Sequence, residues 1–236
     1  APAARNLHSA VWTGSDMIIW GGFDNVANVF NSGGRYRPTN DSWAGVSLVG
    51  APSARSLPTA VWTGTVMIVW GGYSNGPVND GGRYEPVDDR WTNVTTLGSP
   101  IARDSHGAIW TGSEMIIWGG FNGNYLNDGG KYHPGDDYWS PMTVNGAPPG
   151  RFGHSTLWTG NEMIVWGGFN GREMNNGCRY DPLRDCWTAV TTNGAPAARS
   201  KHSAIWTGNE MIVGGAEYLD FPTLNDTSYY LHFGPL

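Results

Sequence analysis

The sequence predicts an all-β fold, a β-propeller of five four-stranded blades of which the last is incomplete. A Trp-Thr-Gly tripeptide recurs at intervals of 48 to 50 residues, and a double glycine follows it within ten residues each time. No segment shows a sustained 3.6-residue apolar period, so we expect almost no helix. The tripeptides begin at Trp12, Trp62, Trp110, Trp158 and Trp206. A fixed period of this length indicates one structural unit repeated five times.

Each unit predicts four short strands, and the first unit shows their order. Residues 8–13 supply the first strand, and the apolar run 17–20 supplies the second and stops at the double glycine. Residues 34–36 and 43–48 supply the third and fourth strands, separated by the turn signal at 38–41. Continuous apolar runs favour strands buried on both faces, as in radially stacked sheets. We predict one domain, residues 1–236, with blades at about 5–50, 55–98, 103–146, 151–194 and 199–236.

Composition excludes several classes of protein. Charged residues are 14% of the chain, whereas 13 of its 236 residues are tryptophan, so intrinsic disorder is excluded. The net charge is −6 and only Lys131 and Lys201 are lysines, which argues against nucleic acid or an anionic membrane as a partner. No apolar run approaches the ~20 residues that a membrane span needs.

The repeat resembles the Kelch motif. The resemblance rests on an apolar strand, Gly-Gly, a variable loop, a tyrosine and then a tryptophan, as in Tyr36 and Trp43. The sequence Arg-x-x-His-Ser-Ala at residues 5–10 and 199–204 fits the same family. The resemblance covers essentially the whole chain and implies a Kelch-type β-propeller. It leaves the function open, because such propellers serve as enzymes, sugar binders and protein-docking platforms.

The fifth unit departs from the repeat. Gly214 stands where the other units have a tryptophan, and no tryptophan-bearing outer strand follows before Leu236. We therefore expect a closed five-bladed ring with a three-stranded last blade. Its open sheet edge is expected to be covered, either by residues 231–236 folding over it or by a protein partner or a missing segment of the same chain that pairs with it.

Cys178 and Cys186 are the only cysteines, and the turn at residues 181–185 lies between them. We predict that they face each other across one hairpin and form a disulfide, with two free buried thiols as the alternative. A disulfide indicates an oxidising compartment, so we predict an extracellular or periplasmic location.

A histidine and an arginine recur at the start of the units, and both sets are predicted to ring the mouth of the central channel. The histidines invite a metal-binding hypothesis, but one residue per blade is better explained by hydrogen bonds to the next blade. The arginines suit a carboxylate or sulfate, although bonds to backbone carbonyls explain them equally simply. We favour the structural role for both sets and predict no metal and no cofactor. The ring comprises Arg5, Arg55, Arg103, Arg151, Arg199, His8, His106, His154 and His202.

The loops after the double glycine are longest in units one and five. Ring closure makes these units neighbours, so their loops are expected to form one raised patch at the seam. Phe30, Tyr218, Asp220 and Phe221 are the candidate binding residues there, since exposed aromatics with one carboxylate suit a protein or a sugar. The alternative is that these loops only fill the seam.

These features favour a non-catalytic propeller that acts as a protein-binding platform or as an accessory subunit of a larger extracytoplasmic assembly. The alternative is a carbohydrate-binding, lectin-like propeller, with a glycan as ligand. A Kelch-type enzyme is disfavoured, because near-identical units provide no unlike pair of catalytic carboxylates.

Overall fold

Five antiparallel sheets follow one another along the chain in the computed structural model. The structure describes residues 1–24, 26, 28–215 and 229–232, the last four as backbone. Each of the first four sheets has four strands, and the fifth has three. The predicted all-β propeller fold with an incomplete last blade is confirmed.

The strands of each blade pair in sequence order, so that every blade is a simple meander. The only helix among the described residues is one 3₁₀ turn, Pro38–Asn40. No helix in this part of the chain is long and apolar enough to cross a membrane. The strands are β1 (Ser9–Trp12), β2 (Met17–Trp20), β3 (Gly33–Arg37) and β4 (Ser42–Gly45) in blade 1, β5 (Thr59–Trp62), β6 (Met67–Trp70), β7 (Gly81–Glu85) and β8 (Arg90–Val94) in blade 2, β9 (Gly107–Trp110), β10 (Met115–Trp118), β11 (Gly129–His133) and β12 (Tyr138–Pro141) in blade 3, β13 (Ser155–Trp158), β14 (Met163–Trp166), β15 (Gly177–Asp181) and β16 (Cys186–Ala189) in blade 4, and β17 (Ser203–Trp206), β18 (Glu210–Gly214) and β19 (Tyr229–His232) in blade 5.

Successive blades pack face to face, and the alternation of side chains along each strand divides every blade into two faces. We call the face that meets the next blade the forward face and the opposite one the back face. At the boundary of blades 2 and 3, Ile68 and Trp70 of the forward face pack against Met115, Tyr132 and Trp139 of the back face. Equivalent clusters fill the other three boundaries. Both faces are therefore apolar, which explains the continuous apolar runs.

The double glycine after each second strand allows this close approach. Gly71 has a φ of +64°, and a Cβ there would lie 2.6 Å from Cε1 of His106 in the next blade. The amide of Gly72, with a φ of +103°, donates a hydrogen bond of 2.9 Å to the carbonyl of Arg103 in that blade. Only glycine combines this conformation with this contact.

The described residues form an open array and do not show the closed ring that we predicted. The first strands of neighbouring blades pack side by side from β1 to β17, whereas β17 has no comparable packing against β1. The two end faces are correspondingly exposed. Trp12 on the back face of blade 1 is 54% exposed, and Ile205 on the forward face of blade 5 is 59% exposed.

The predicted disulfide is wrong, because both cysteines are free thiols. In the hairpin Cys178 pairs with Ala189, and Cys186 pairs with Asp181. Cys186 thus lies opposite a residue three positions along the strand from Cys178, which separates the cysteines by about 10 Å, beyond the reach of a disulfide. An odd separation also places them on opposite faces, so Cys178 is buried and Cys186 is exposed. The extracellular or periplasmic location remains a prediction, and the disulfide no longer supports it.

Candidate functional site

An axial cavity opens on one face of the array. The connection that precedes each first strand and the loop between the second and third strands lie on this side, which we call the loop face. The axial cavity measures about 470 Å³ and is lined by residues of all five blades. Each blade contributes a residue with left-handed φ, between 51° and 63°, to its wall. These residues are Leu7, Leu57, Ser105, Gly153 and Lys201.

Backbone hydrogen bonds join these residues from blade to blade. The amide of Leu57 donates to the carbonyl of Leu7 over 2.8 Å, and that of Lys201 donates to the carbonyl of Gly153 over 2.7 Å. Four of the five residues are not glycine, so this unusual conformation is maintained by the packing around the axis.

The recurring histidines lie at or beside the axial cavity; His106 and His202 contact the preceding blade, whereas His8 is exposed in the first blade. Nε2 of His106 lies 2.7 Å from the hydroxyl oxygen of Thr59, and Nε2 of His202 lies 3.0 Å from that of Ser155. The ring of His106 also stands edge-on against Trp70, with centroids 5.2 Å apart. Burial lowers the pKa of both histidines, that of His202 to about 4, so both are neutral at pH 7.

His154 departs from this pattern because Gly107 stands where the other pairs have a hydroxyl. The pKa of His154 falls to about 3, chiefly through burial and then through Arg151. Within the described part of the chain, no three His, Cys, Asp or Glu side chains are grouped so as to hold a metal ion.

The recurring arginines point into their own blades. Four of them, at positions 55, 103, 151 and 199, are fully buried, and Arg5 is half-buried. Nη1 of each donates to backbone carbonyls of the loop between the second and third strands. The acceptors are Gly21 and Ser32 for Arg5, Gly71 and Asp80 for Arg55, Gly119 and Asp128 for Arg103, Gly167 and Asn176 for Arg151, and Gly215 for Arg199. Their guanidinium groups therefore brace these loops from within the blades.

Of the candidate seam residues, the structure describes Phe30. Its half-buried ring lies under the guanidinium of Arg5, 4.3 Å from centroid to Cζ, and its carbonyl accepts a hydrogen bond from the amide of Arg55. Phe30 thus packs at the junction of blades 1 and 2. Tyr218, Asp220 and Phe221 lie outside the described residues, and the seam patch stays a prediction.

An aromatic cluster lies on the loop face beside the axial cavity. It comprises Phe121 and Tyr125 of blade 3 and Phe152 and Phe169 of blade 4. The rings of Tyr125 and Phe152 are nearly parallel with centroids 5.9 Å apart, and Phe152 also lies 5.6 Å from Phe121 and 5.7 Å from Phe169. Tyr125 is 40% exposed, and Phe152 also lines the axial cavity. The cluster and the cavity therefore form one continuous surface.

We did not predict this cluster from the sequence, although two signals pointed to it. An aromatic residue follows the double glycine in four units, as at Phe121 and Phe169. Tyr125 and Phe152 are each specific to one unit. The position of Tyr125 is occupied by Pro77 in unit two, and the position of Phe152 is occupied by Asp104 in unit three. A unique site requires residues that differ between units, and these two aromatics supply that difference.

Two grooves lie on the opposite face. They measure about 400 and 500 Å³ and lie at equivalent places, between blades 2 and 3 and between blades 1 and 2. We regard them as features of blade packing, since equivalent positions of the repeat line both, although single side chains differ, as at Val66 and Asp16.

Comparison with known proteins agrees with the architecture. The family model of the KLHDC2/KLHL20/DRC7 Kelch-repeats domain matches residues 1–149 and 112–233. Curated proteins gave no significant match. The two matched stretches overlap and together span nearly the whole sequence, and the chain therefore belongs to the Kelch-repeat family.

Proposed function

We propose that this chain is a protein-binding platform whose partner docks on the loop face, over the aromatic cluster and the axial cavity. The Kelch-repeat fold is typical of protein-interaction platforms. One observation carries the proposal for this face: the unit-specific rings of Tyr125 and Phe152 meet at the rim of the cavity.

The chemistry of the surface suits a protein partner. Aromatic side chains supply large contact areas with little loss of conformational entropy, and they dominate the energetics of protein interfaces. Polar groups border the cluster, among them Glu173, which accepts a 3.0 Å hydrogen bond from Ser200. The axial cavity has room for one or two side chains of a docked peptide.

The platform is proposed to be non-catalytic and to serve a larger assembly. Burial lowers the pKa of His106, His154 and His202, and the recurring arginines donate to backbone carbonyls of their own blades, so the proposed role rests on the aromatic cluster. An extracellular or periplasmic location is kept as part of this proposal.

Selection from a random peptide display library on the immobilised chain tests the proposal. We expect enriched peptides whose binding is weakened at least about tenfold by Tyr125→Ser, because the central ring of the contact is lost. Tyr138→Ser is the matched control, since Tyr138 is similarly exposed at 45% but lies at the turn on the opposite face. Equal binding to both variants, or no enrichment, would contradict the proposal.

A glycan ligand is the second candidate, and the exposed Tyr125 ring favours it because sugars stack on such rings. Saturation-transfer NMR with a panel of oligosaccharides separates the two candidates. A sugar signal that disappears with Tyr125→Ser, together with no enriched peptide, would assign the face to carbohydrate.

A further inference from the structure

An ion pair between the second and third strands recurs in the repeat. Four of the five units carry an acidic residue just before the second strand, and blades 1 and 4 pair it with an arginine at one position of the third strand. In blade 1 Oδ2 of Asp16 lies 3.2 Å from Nε of Arg35, and in blade 4 Oε2 of Glu162 lies 3.1 Å from Nη1 of Arg179. The repeat thus supplies its own carboxylate to this arginine.

Blade 2 keeps the arginine and lacks the acid. Val66 stands at the position of Asp16, and Arg83 stands at that of Arg35. Nη1 of Arg83 donates to the carbonyl of Pro134 in blade 3 over 2.9 Å, and Arg35 makes the same bond to the corresponding proline of blade 2. The scaffold therefore holds both guanidinium groups alike, but among the described residues only Arg35 of the two has a carboxylate beside it.

The Nε–Nη2 edge of Arg83 is incompletely bonded. Nε is buried and has no hydrogen-bond partner in the part of the chain that the structure describes. Nη2 lies 3.5 Å from the carbonyl oxygen of Asn93, which is longer than an ordinary N–H···O bond. A buried donor without an acceptor calls for an explanation, and this edge of a guanidinium is one that binds a carboxylate through two parallel bonds.

Arg83 lines the groove of about 400 Å³ between blades 2 and 3, a volume typical of small-molecule sites. The groove itself arises from blade packing, but its charges are not balanced. Its charged lining consists of Arg83, Arg90 and Glu85, which leaves one surplus positive charge. The equivalent groove between blades 1 and 2 balances two arginines with two carboxylates. A positive groove on a chain of net charge −6 favours an anionic ligand.

We propose that this groove binds a small hydroxylated carboxylic acid, whose carboxylate supplies to Arg83 the acid that Val66 lacks. The hydroxyls of Thr65 and Thr92 and the carboxylate of Glu85 also line the groove, and they suit the hydroxyl groups of such a ligand. The site lies on the face opposite the proposed docking surface and does not depend on it.

Side-chain NMR of the isotope-labelled chain tests the proposal. Gluconate, a polyhydroxylated acid, is the probe, and sorbitol, which has the same carbon skeleton without the carboxylate, is its neutral match. We expect gluconate to shift the Nε signal of Arg83 saturably and sorbitol to leave it unchanged, because only gluconate carries the charge. Arg83→Lys identifies the signal by its loss.

Val66→Asp is the decisive variant, since it restores the acid of the repeat beside Arg83. We expect it to fold normally and to weaken gluconate binding at least about tenfold in isothermal titration calorimetry, because the internal carboxylate occupies the site. Leu183→Asp is the matched control, since it adds the same charge at an exposed turn of blade 4 on the same face and is expected to keep the affinity. Arg83→Gln is expected to cause the same loss as Val66→Asp and keeps the test decisive if that variant fails to fold.

Several outcomes would overturn the proposal. They are the absence of a saturable shift, an equal shift with sorbitol or with sodium chloride at the same ionic strength, and unchanged affinity in Val66→Asp and Arg83→Gln. A capped glutamate peptide that binds where gluconate does not would assign the groove to a carboxylate of a protein partner instead.

Discussion

Nε2 of His106 in blade 3 lies 2.7 Å from the hydroxyl oxygen of Thr59 in blade 2. The same contact joins His202 to Ser155 between blades 4 and 5. The repeat therefore contains a polar bond between blades, buried beside the axial cavity among tryptophan rings.

This bond changes wherever one partner is replaced. Pro58 stands at the histidine position of unit two, and the hydroxyl of Ser9 contacts its carbonyl instead. Gly107 stands at the hydroxyl position of unit three, and His154 is left without a hydroxyl partner.

Thr59→Val is expected to destabilise the protein. The change keeps the shape of the side chain but leaves Nε2 of the buried His106 unpaired, at a cost of about 1–3 kcal/mol in the free energy of unfolding. Urea denaturation followed by tryptophan fluorescence measures this difference.

Thr156→Val is the matched control for this change. The hydroxyl of Thr156 is buried without a hydrogen-bond partner, so its removal is expected to be neutral or stabilising. Equal losses in the two variants would show that the bond between His106 and Thr59 contributes nothing specific.

Stability is expected to fall as the pH is lowered from about 7.5 to about 5. Burial holds the pKa of His106, His154 and His202 below that of the unfolded chain, which is about 6.5. Below that pH the unfolded chain binds protons that the folded blades do not, so the stabilisation present at neutral pH is lost. Asp104, whose pKa burial raises, opposes part of this loss at the acidic end.

Urea denaturation at a series of pH values measures the slope, and histidine variants assign it. His106→Gln and His202→Gln are each expected to flatten the dependence, because each change removes a group whose pKa burial lowers. An unchanged slope in both variants would exclude these histidines as its source.

The repeat made the architecture predictable from the sequence, because five copies in register fix which strands neighbour one another. It was harder to predict from the sequence which side chains face each other across a hairpin. The turn between Cys178 and Cys186 indicated a hairpin, but the pairing of Cys186 with Asp181 sets the register, and that register separates the thiols.

The candidate site was less predictable than the fold. The most obvious difference between the units is loop length, whereas the aromatic cluster depends on Tyr125 and Phe152, which are single substitutions in units of ordinary length. Their proximity follows from the packing of blade 3 against blade 4, which no local pattern contains.

The cysteines give a direct test of the corrected pairing. We expect Ellman's reagent to titrate one thiol per native chain, because Cys186 is exposed while Cys178 is buried and burial raises its pKa. Denaturation without reductant should reveal the second thiol. If the denatured chain showed no reactive thiol, the result would support the disulfide that we first predicted.

Ile109 and Ile205 occupy one position of the repeat in opposite environments, and they test whether the array is open at blade 5. Ile109 is 5% exposed in the core between blades 3 and 4, whereas Ile205 is 59% exposed. Ile109→Ser is expected to lower the free energy of unfolding by about 3 kcal/mol or more, since it removes buried apolar atoms, leaves a cavity and buries a hydroxyl. Ile205→Ser is expected to change it by less than about 0.5 kcal/mol, as at other exposed positions. Urea denaturation of both variants decides the matter, because a comparable loss at Ile205 would mean that the forward face of blade 5 is packed in solution.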